Sequence, residues 1–288
     1  MEISTLTARD KENKRVDLEY LKPNEAKKML GVQLAPDGNN TVQVQEMENK
    51  TKKLAESIRT GYLQKHEAWT ALTLMAMKSI EYPLPALTLK EEECDRIMRP
   101  LLKAYLPKAG VVRTFKRDLV YATLKKQGLG LKNPYLTQGI AHVIDCVEHI
   151  WKQTITGHFI NIALENIRLE LGVNITILCS EYKTFEPLIM TESWTQSCWK
   201  FMSETKITFD DKTAKINMTR DKDRTIMDGI LELKLHPQEV KQVNKCRLYL
   251  KVATLSDITT GDGKMTTRDA WMVRVSQQQM RTQYTGPN

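Results

Sequence analysis

Thr41-Val-Gln-Val-Gln-Glu-Met-Glu-Asn-Lys-Thr-Lys-Lys-Leu-Ala-Glu-Ser-Ile-Arg-Thr60 is the stretch that decides the fold class. Val44, Met47, Thr51, Leu54 and Ile58 recur at spacings of three and four, the period that places side chains on one face of an α-helix. Lys50, Lys52, Lys53 and Arg59 fall on the polar arc, and Gly61 stands where a C-terminal cap belongs. The same period predicts a helix over 65–81, with Trp69, Leu72, Met75, Ala76 and Ile80 inward and Pro83 and Pro85 as its stop. A third helix is expected from Thr88, where Thr88 and Glu91 have capping-box spacing and Glu91, Glu92 and Glu93 suit the positive end of the dipole. Cys94, Ile97, Met98, Leu101 and Tyr105 form its stripe, and Pro100 is expected to kink or end it.

Upstream, the first forty residues read as extended. Val16, Leu18 and Tyr20 alternate, Lys22-Pro-Asn is a turn, Lys28-Met-Leu-Gly-Val-Gln-Leu34 is a second apolar run, and Pro36-Asp-Gly-Asn-Asn40 is turn chemistry. Downstream, 107–133 reads as a basic loop. Residues 135–153 read as a helix with Ile140, Val143, Ile144, Val147 and Trp151 inward, and another helix ends near Gly172. Trp194, Cys198 and Phe201 mark one more. Ile207-Thr-Phe and Ala214-Lys-Ile flank a hairpin turn, and 221–235 and 238–250 read as helices. The fold class is therefore mainly α (α+β), divided into a β hairpin over 1–40, a helical domain over 41–172, a smaller mixed region over 173–265 and a tail over 266–288, with a boundary near 172–190.

Charge points to a partner. From Arg99 to Lys132 there are nine basic residues (Arg99, Lys103, Lys108, Arg113, Lys116, Arg117, Lys125, Lys126, Lys132) and one acid, Asp118. Nine minus one is +8, the net charge of the whole 288-residue chain, so the remainder is balanced. One localised basic segment interleaved with Tyr105, Phe115 and Tyr121 suggests a surface that meets a polyanion. The contact residues expected are Lys103, Lys108, Arg113, Lys116, Arg117, Lys125 and Lys126. They would contact phosphates and so bind duplex without sequence preference. The alternative is a structural or protein-interaction module whose basic patch binds an acidic partner.

The other totals exclude several classes. An apolar content of 41% and a charged content of 27% fit a globular protein rather than a disordered one. No apolar run approaches the roughly 18 residues of a membrane span, so no membrane partner is expected. Met1 to Asp10 lacks a basic segment followed by an apolar core, which argues against a secretory signal. The five cysteines are scattered without a C-x-x-C pair, which argues for reduced thiols and an intracellular, nuclear or cytoplasmic, location.

No motif assembles an active site. Asp210 and Asp211 are adjacent, but Asp-Asp-Lys-Thr is turn material and no third carboxylate matches it. His142, Cys146 and His149 share a helix face without a fourth zinc ligand. Asp257-Ile-Thr-Thr-Gly-Asp-Gly263 has too few acids for a calcium loop. Gly128-Leu-Gly lacks the third glycine of a dinucleotide fingerprint. No catalytic residue, metal or cofactor is expected in this chain.

Several segments, in order over roughly 15–265, resemble one family. Lys28-Met-Leu-Gly-Val-Gln-Leu34 resembles the K-x-L-G-[VI]-x-L strand that closes the palm of non-LTR retrotransposon reverse transcriptases, with Lys28, Leu30, Gly31 and Val32 carrying the match. Tyr82-Pro-Leu-Pro85 resembles the stretch after the following helix. Gln127-Gly-Leu-Gly-Leu131 resembles a G-G-L-G-[LIV] box, with Gln127 in place of the first glycine. Trp194-x4-Trp199-Lys-Phe and Cys246-Arg-Leu-Tyr-Leu through Gly263 resemble the region between polymerase and RNase H. The family's catalytic aromatic-x-Asp-Asp hairpin lies upstream of the L-G-[VI] strand, and the residues before Lys28 do not carry it. The resemblance thus implies the end of the palm, a helical thumb and a connection region. It implies RNA–DNA hybrid or another duplex as ligand, the fingers and palm as partners, and no polymerase activity in the chain alone. Mg²⁺ is implied only for the catalytic part.

Overall fold

The computed structural model describes residues 7–9, 11–17, 22–150, 152–190, 193–208, 218, 220, 221, 223–260, 262, 264 and 265. It is mainly helical with two short antiparallel strand pairs, as the periodicity requires. The chain forms two compact units, residues 1–138 and 139–288, each with its own apolar core.

In the first unit, β1 (Thr7–Arg9) pairs with β2 (Arg15–Asp17), and β3 (Lys27–Met29) pairs with β4 (Val32–Leu34). The run Lys28–Leu34 is therefore not one strand. It folds back at Leu30 (φ +50°) and Gly31 (φ +89°), a two-residue turn with positive φ at both positions. Leu30 is 92% exposed at the tip, and its carbonyl accepts from the Tyr82 hydroxyl at 2.6 Å. Val32 enters the core and Leu34 packs half-buried against it, while Leu30 needs no covering sheet.

α1 (Thr41–Thr60) has the expected bounds and buries Val44, Met47, Thr51 and Ile58. Gly61 ends it in an extended conformation (φ −74°), not the left-handed one expected of a glycine cap, and its N–H still reaches the Ser57 carbonyl. α2 (Lys65–Thr70) and α3 (Met77–Glu81) are joined by a π-helical stretch, Ala71–Ala76. The wider turn shifts the stripe: Met77 becomes buried and Met75 is exposed. α4 (Glu91–Lys108) starts later than expected. Glu93 accepts from the Lys90 N–H at 2.9 Å, while the Thr88 hydroxyl accepts from the Asn40 amide at 2.8 Å instead of capping.

Pro100 neither ends α4 nor does Pro107. An interior proline costs about 3 kcal/mol. Leu101, Leu102, Tyr105 and Leu106 all follow Pro100 and are buried, and each large apolar side chain removed from water contributes about 1.5–3 kcal/mol. Continuing the helix therefore wins. α1 and α4 pack along one another more extensively than any other helix pair. α5 (Arg117–Tyr121) and a 3₁₀ turn (Leu124–Lys126) lie within the stretch expected to be loop.

The division between the units falls inside α6 (Pro134–His149), not near 172–190, and residues 22–40 belong to the first unit rather than to a separate hairpin domain. α6 also turns the opposite way from its apolar pattern. Gln138, His142, Cys146 and Ile150 are buried and Val143 packs half-buried against the second core, while Ile140, Ile144 and Val147 are exposed and Trp151 is outside the described residues. Specific contacts decide this. The Gln138 amide bonds both the N–H and the carbonyl of Leu89 at 3.0 Å. In the second unit, the His142 ring packs tilted against Trp194, with centroids 4.8 Å apart. A Cβ on Gly139 would come within 2.2 Å of Phe201.

The second unit continues with α7 (Ile155–Leu171), α8 (Tyr182–Phe185), α9 (Trp194–Thr205), α10 (Ile226–Glu232) and α11 (Pro237–Leu250). Trp199 is fully buried and donates its indole N–H to Ser180 at 2.9 Å. Arg247 of α11 donates to the Leu169 and Glu170 carbonyls at 2.7 Å, placing a cation at the negative end of α7. The hairpin expected around Asp210–Asp211 and the tail over 266–288 lie outside the described residues.

The packing predicts unequal costs within one apolar pattern. Leu101→Ala should lower the free energy of unfolding in denaturant by about 2–5 kcal/mol. Leu30→Ala should change it by less than about 0.5 kcal/mol; a cost like that of Leu101→Ala would mean the hairpin tip is covered.

Candidate nucleic-acid interface

The basic surface begins on the outer face of α4, opposite its buried stripe. Arg99 and Lys103 stand one turn apart and are exposed. α4 then closes with a Schellman arrangement. Gly110 (φ +82°) donates to Pro107 at 3.0 Å and Val111 donates to Leu106 at 2.8 Å. This sharp ending puts Arg113 on an exposed turn. Lys116 precedes α5 and is exposed, whereas Arg117 is half-buried.

From α5 the chain folds back on itself. Leu129 donates to Leu119 at 2.9 Å, Gly130 to Ala122 at 2.8 Å and Leu131 to Val120 at 3.1 Å. The tip of this fold-back is the 3₁₀ turn that exposes Lys125 and Lys126. Gln127, standing where the resembled box has glycine, is left-handed (φ +58°), the conformation for which glycine is the default. A Cβ on Gly128 would lie 2.1 Å from the Ala122 carbonyl oxygen. The glycine box thus serves to shape a lysine-bearing turn.

Counter-charge is sparse in this segment, as it also is at the exposed Lys50, Lys53 and Lys65. Lys28, Lys52, Arg59, Lys78, Arg96 and Lys132 each face a carboxylate within 4.0 Å. Among the described residues, Arg99, Lys103, Arg113, Lys116, Lys125 and Lys126 form no ion pair and are all exposed. Arg117 and Lys108 leave the expected set: both are half-buried, and the Lys108 ammonium donates to the Gly61 carbonyl at 3.0 Å, tying the end of α4 to the end of α1. Arg99 enters it, a residue of the charged block that the expected contact set omitted.

The three interleaved aromatics face inward and offer no stacking platform. Tyr105 is buried, and Phe115 and Tyr121 pack half-buried against the first core. Burial pushes the Tyr121 phenol up to about 12, with Asp95 adding to the shift and Arg117 opposing it. The residues Lys28, Leu30, Gly31 and Val32 are separated as well: Lys28 pairs with Glu46 at 3.5 Å, Leu30 and Gly31 form the exposed turn, and Val32 is core.

The remaining motifs have structural occupations. Cys146 is core; contact with it, then burial, holds the Cys198 thiol well above the usual range. Asp257 accepts the N–H groups of Ala253 and Thr254 at 2.8 Å. The carbonyls of Ser256, Thr259 and Thr260 all accept from the Arg220 guanidinium. The carbonyls of this loop are therefore taken up by an arginine. Among the described residues, no group of three His, Cys, Asp or Glu could hold a metal, and no helix is long and apolar enough to cross a membrane. Comparison with protein-family models, curated proteins and solved structures finds no match.

The fold-back makes two opposite forecasts at adjacent positions. Gly128→Ala should cost at least about 3 kcal/mol, since the Cβ meets backbone that cannot yield. Gln127→Gly should be neutral or stabilising by up to about 1 kcal/mol, because it relieves the left-handed strain. Chemical denaturation of both variants checks this, and equal effects would contradict it.

Proposed function

We propose that this chain grips the phosphate backbone of duplex nucleic acid, and that it is the thumb and connection portion of a retroelement reverse transcriptase. The single observation that carries the grip is the set of six exposed cations, Arg99, Lys103, Arg113, Lys116, Lys125 and Lys126, with no carboxylate partner among the described residues. The parentage rests on the ordered resemblances from Lys28 to Gly263. The ligand is an RNA–DNA hybrid or a similar duplex, and the partner is the fingers and palm carrying the aromatic-x-Asp-Asp motif and its Mg²⁺. The chain's own contribution is to hold the duplex. The inward aromatics favour backbone contact over base stacking.

Counterion release gives the size of the effect. Six phosphate contacts correspond to a log–log salt slope of about −5, and to a loss of about a thousandfold in affinity between 50 and 200 mM salt. Replacing Arg113, Lys116 and Lys125 together by Ala should flatten that slope by about three and leave sequence preference absent. Replacing Lys50 and Lys53 on α1 should change it little. An unchanged slope in the folded triple variant would remove the grip from this segment. Equal affinity for an acidic polypeptide of the same charge would transfer it to a protein partner.

A further inference from the structure

Helix α7 is apolar on two opposite faces. Ile160, Leu164, Ile167 and Leu171 are buried in the second core. On the other side Ile155, Phe159, Ile162 and Leu169 are 77%, 68%, 56% and 51% exposed. A helix that is apolar all round is normally covered all round, and among the described residues this outer face has no partner.

Its spacing specifies a partner helix. Ile155, Phe159, Ile162, Asn166 and Leu169 step by four, three, four and three, the a/d repeat of a coiled-coil seam. In that register Ile155, Ile162 and Leu169 are d positions, and Phe159 and Asn166 are a positions. A single asparagine at an a position is the device that fixes register and strand number, because it is tolerated when its mate is another asparagine across the seam. The five seam residues carry no charge. Glu165, beside them, is bonded to Arg168. Glu170, on the other flank, accepts from the Met190 N–H. A second copy of a chain with net charge +8 would ordinarily be repelled. The apolar seam itself carries no like charge against its own copy and no complementarity to an acidic or basic partner, and its two flanking carboxylates are each engaged within their own chain. The helix is also already held by its core face, so pairing need not bear the cost of folding it.

We propose that α7 is a dimerisation helix, pairing in parallel with α7 of a second copy of this chain through a two-heptad seam with Asn166 opposite Asn166. The contact is isologous, one self-complementary face meeting itself about a two-fold axis.

Sedimentation equilibrium of the full chain tests this. The expected result is a reversible monomer–dimer equilibrium with a dissociation constant on the order of 1–10 μM. Ile162→Asp should weaken it at least about 100-fold, equivalent to a polar group buried without a partner, with the circular dichroism unchanged. Should that variant misfold, crosslinking decides the matter. Cys179 and Cys246, the exposed cysteines, are replaced by Ser. Asn166→Cys in that background should form a disulfide-linked dimer with oxidised glutathione, and Lys50→Cys should not. A chain that stays monomeric at about 100 μM, a dimer that survives Ile162→Asp, or no crosslink through Asn166→Cys would each overturn the proposal.

Discussion

Two prolines stand inside α4, and the helix continues through both because the apolar residues beyond Pro100 are committed to the same core as those before it. Cys94, Ile97 and Met98 precede the proline; Leu101, Leu102, Tyr105 and Leu106 follow it, all buried. Most of what the first unit presents to solvent follows from that commitment. Once the stripe is inward, Arg99 and Lys103 must point outward. Once the helix reaches Lys108, its ammonium lies within reach of Gly61 at the end of α1. The Schellman closure at Gly110 then reverses the chain and begins the fold-back that carries Arg113, Lys116, Lys125 and Lys126.

The cations are thus placed by apolar burial and not by each other. Arg99 and Lys103 are about 6 Å apart along the helix axis, inside the Debye length of about 8 Å at physiological salt, so their potentials add. Elsewhere in the unit several exposed cations are neutralised locally: Glu48 faces both Lys52 and Arg96, and Glu81 faces both Lys78 and Lys132. Exposed ion pairs of that kind contribute little stability. They do, however, leave the longest run of cations without a carboxylate partner in the 99–126 segment, alongside the separate exposed lysines Lys50, Lys53 and Lys65. The second unit uses charge differently. Arg220 and Arg247 donate to backbone carbonyls and so organise a loop and a helix end rather than a surface.

Where the sequence was legible, one strong period acted alone. α1 was readable to its last residue because Val44, Met47, Thr51 and Ile58 meet one partner surface. The pattern misled where a local rule met a tertiary one. Pro100 is a helix breaker only if nothing is buried beyond it. Leu30 looks like a strand residue until the positive φ at Leu30 and Gly31 makes it a turn. The apolar pattern of α6 points Ile140, Ile144 and Val147 inward, whereas the bonds between Gln138 and Leu89 and the packing of His142 against Trp194 turn it round. The candidate interface was legible as a charge count, which located the segment. Counting could not tell that Lys108 is engaged, that Arg99 is free of ion pairs, or that the aromatics face the core, since each depends on which way a helix is turned.

The central claim is that the exposed cations of 99–126 hold a polyanionic backbone. Lysine acetylation followed by mass spectrometry, with and without an RNA–DNA hybrid at low salt, tests it most directly. The account predicts protection of Lys103, Lys116, Lys125 and Lys126 on binding, with Lys50 and Lys53 on α1 and the already engaged Lys108 unchanged. Protection centred on Lys50 and Lys53, or none at any of these lysines under conditions where the hybrid is bound, would contradict it.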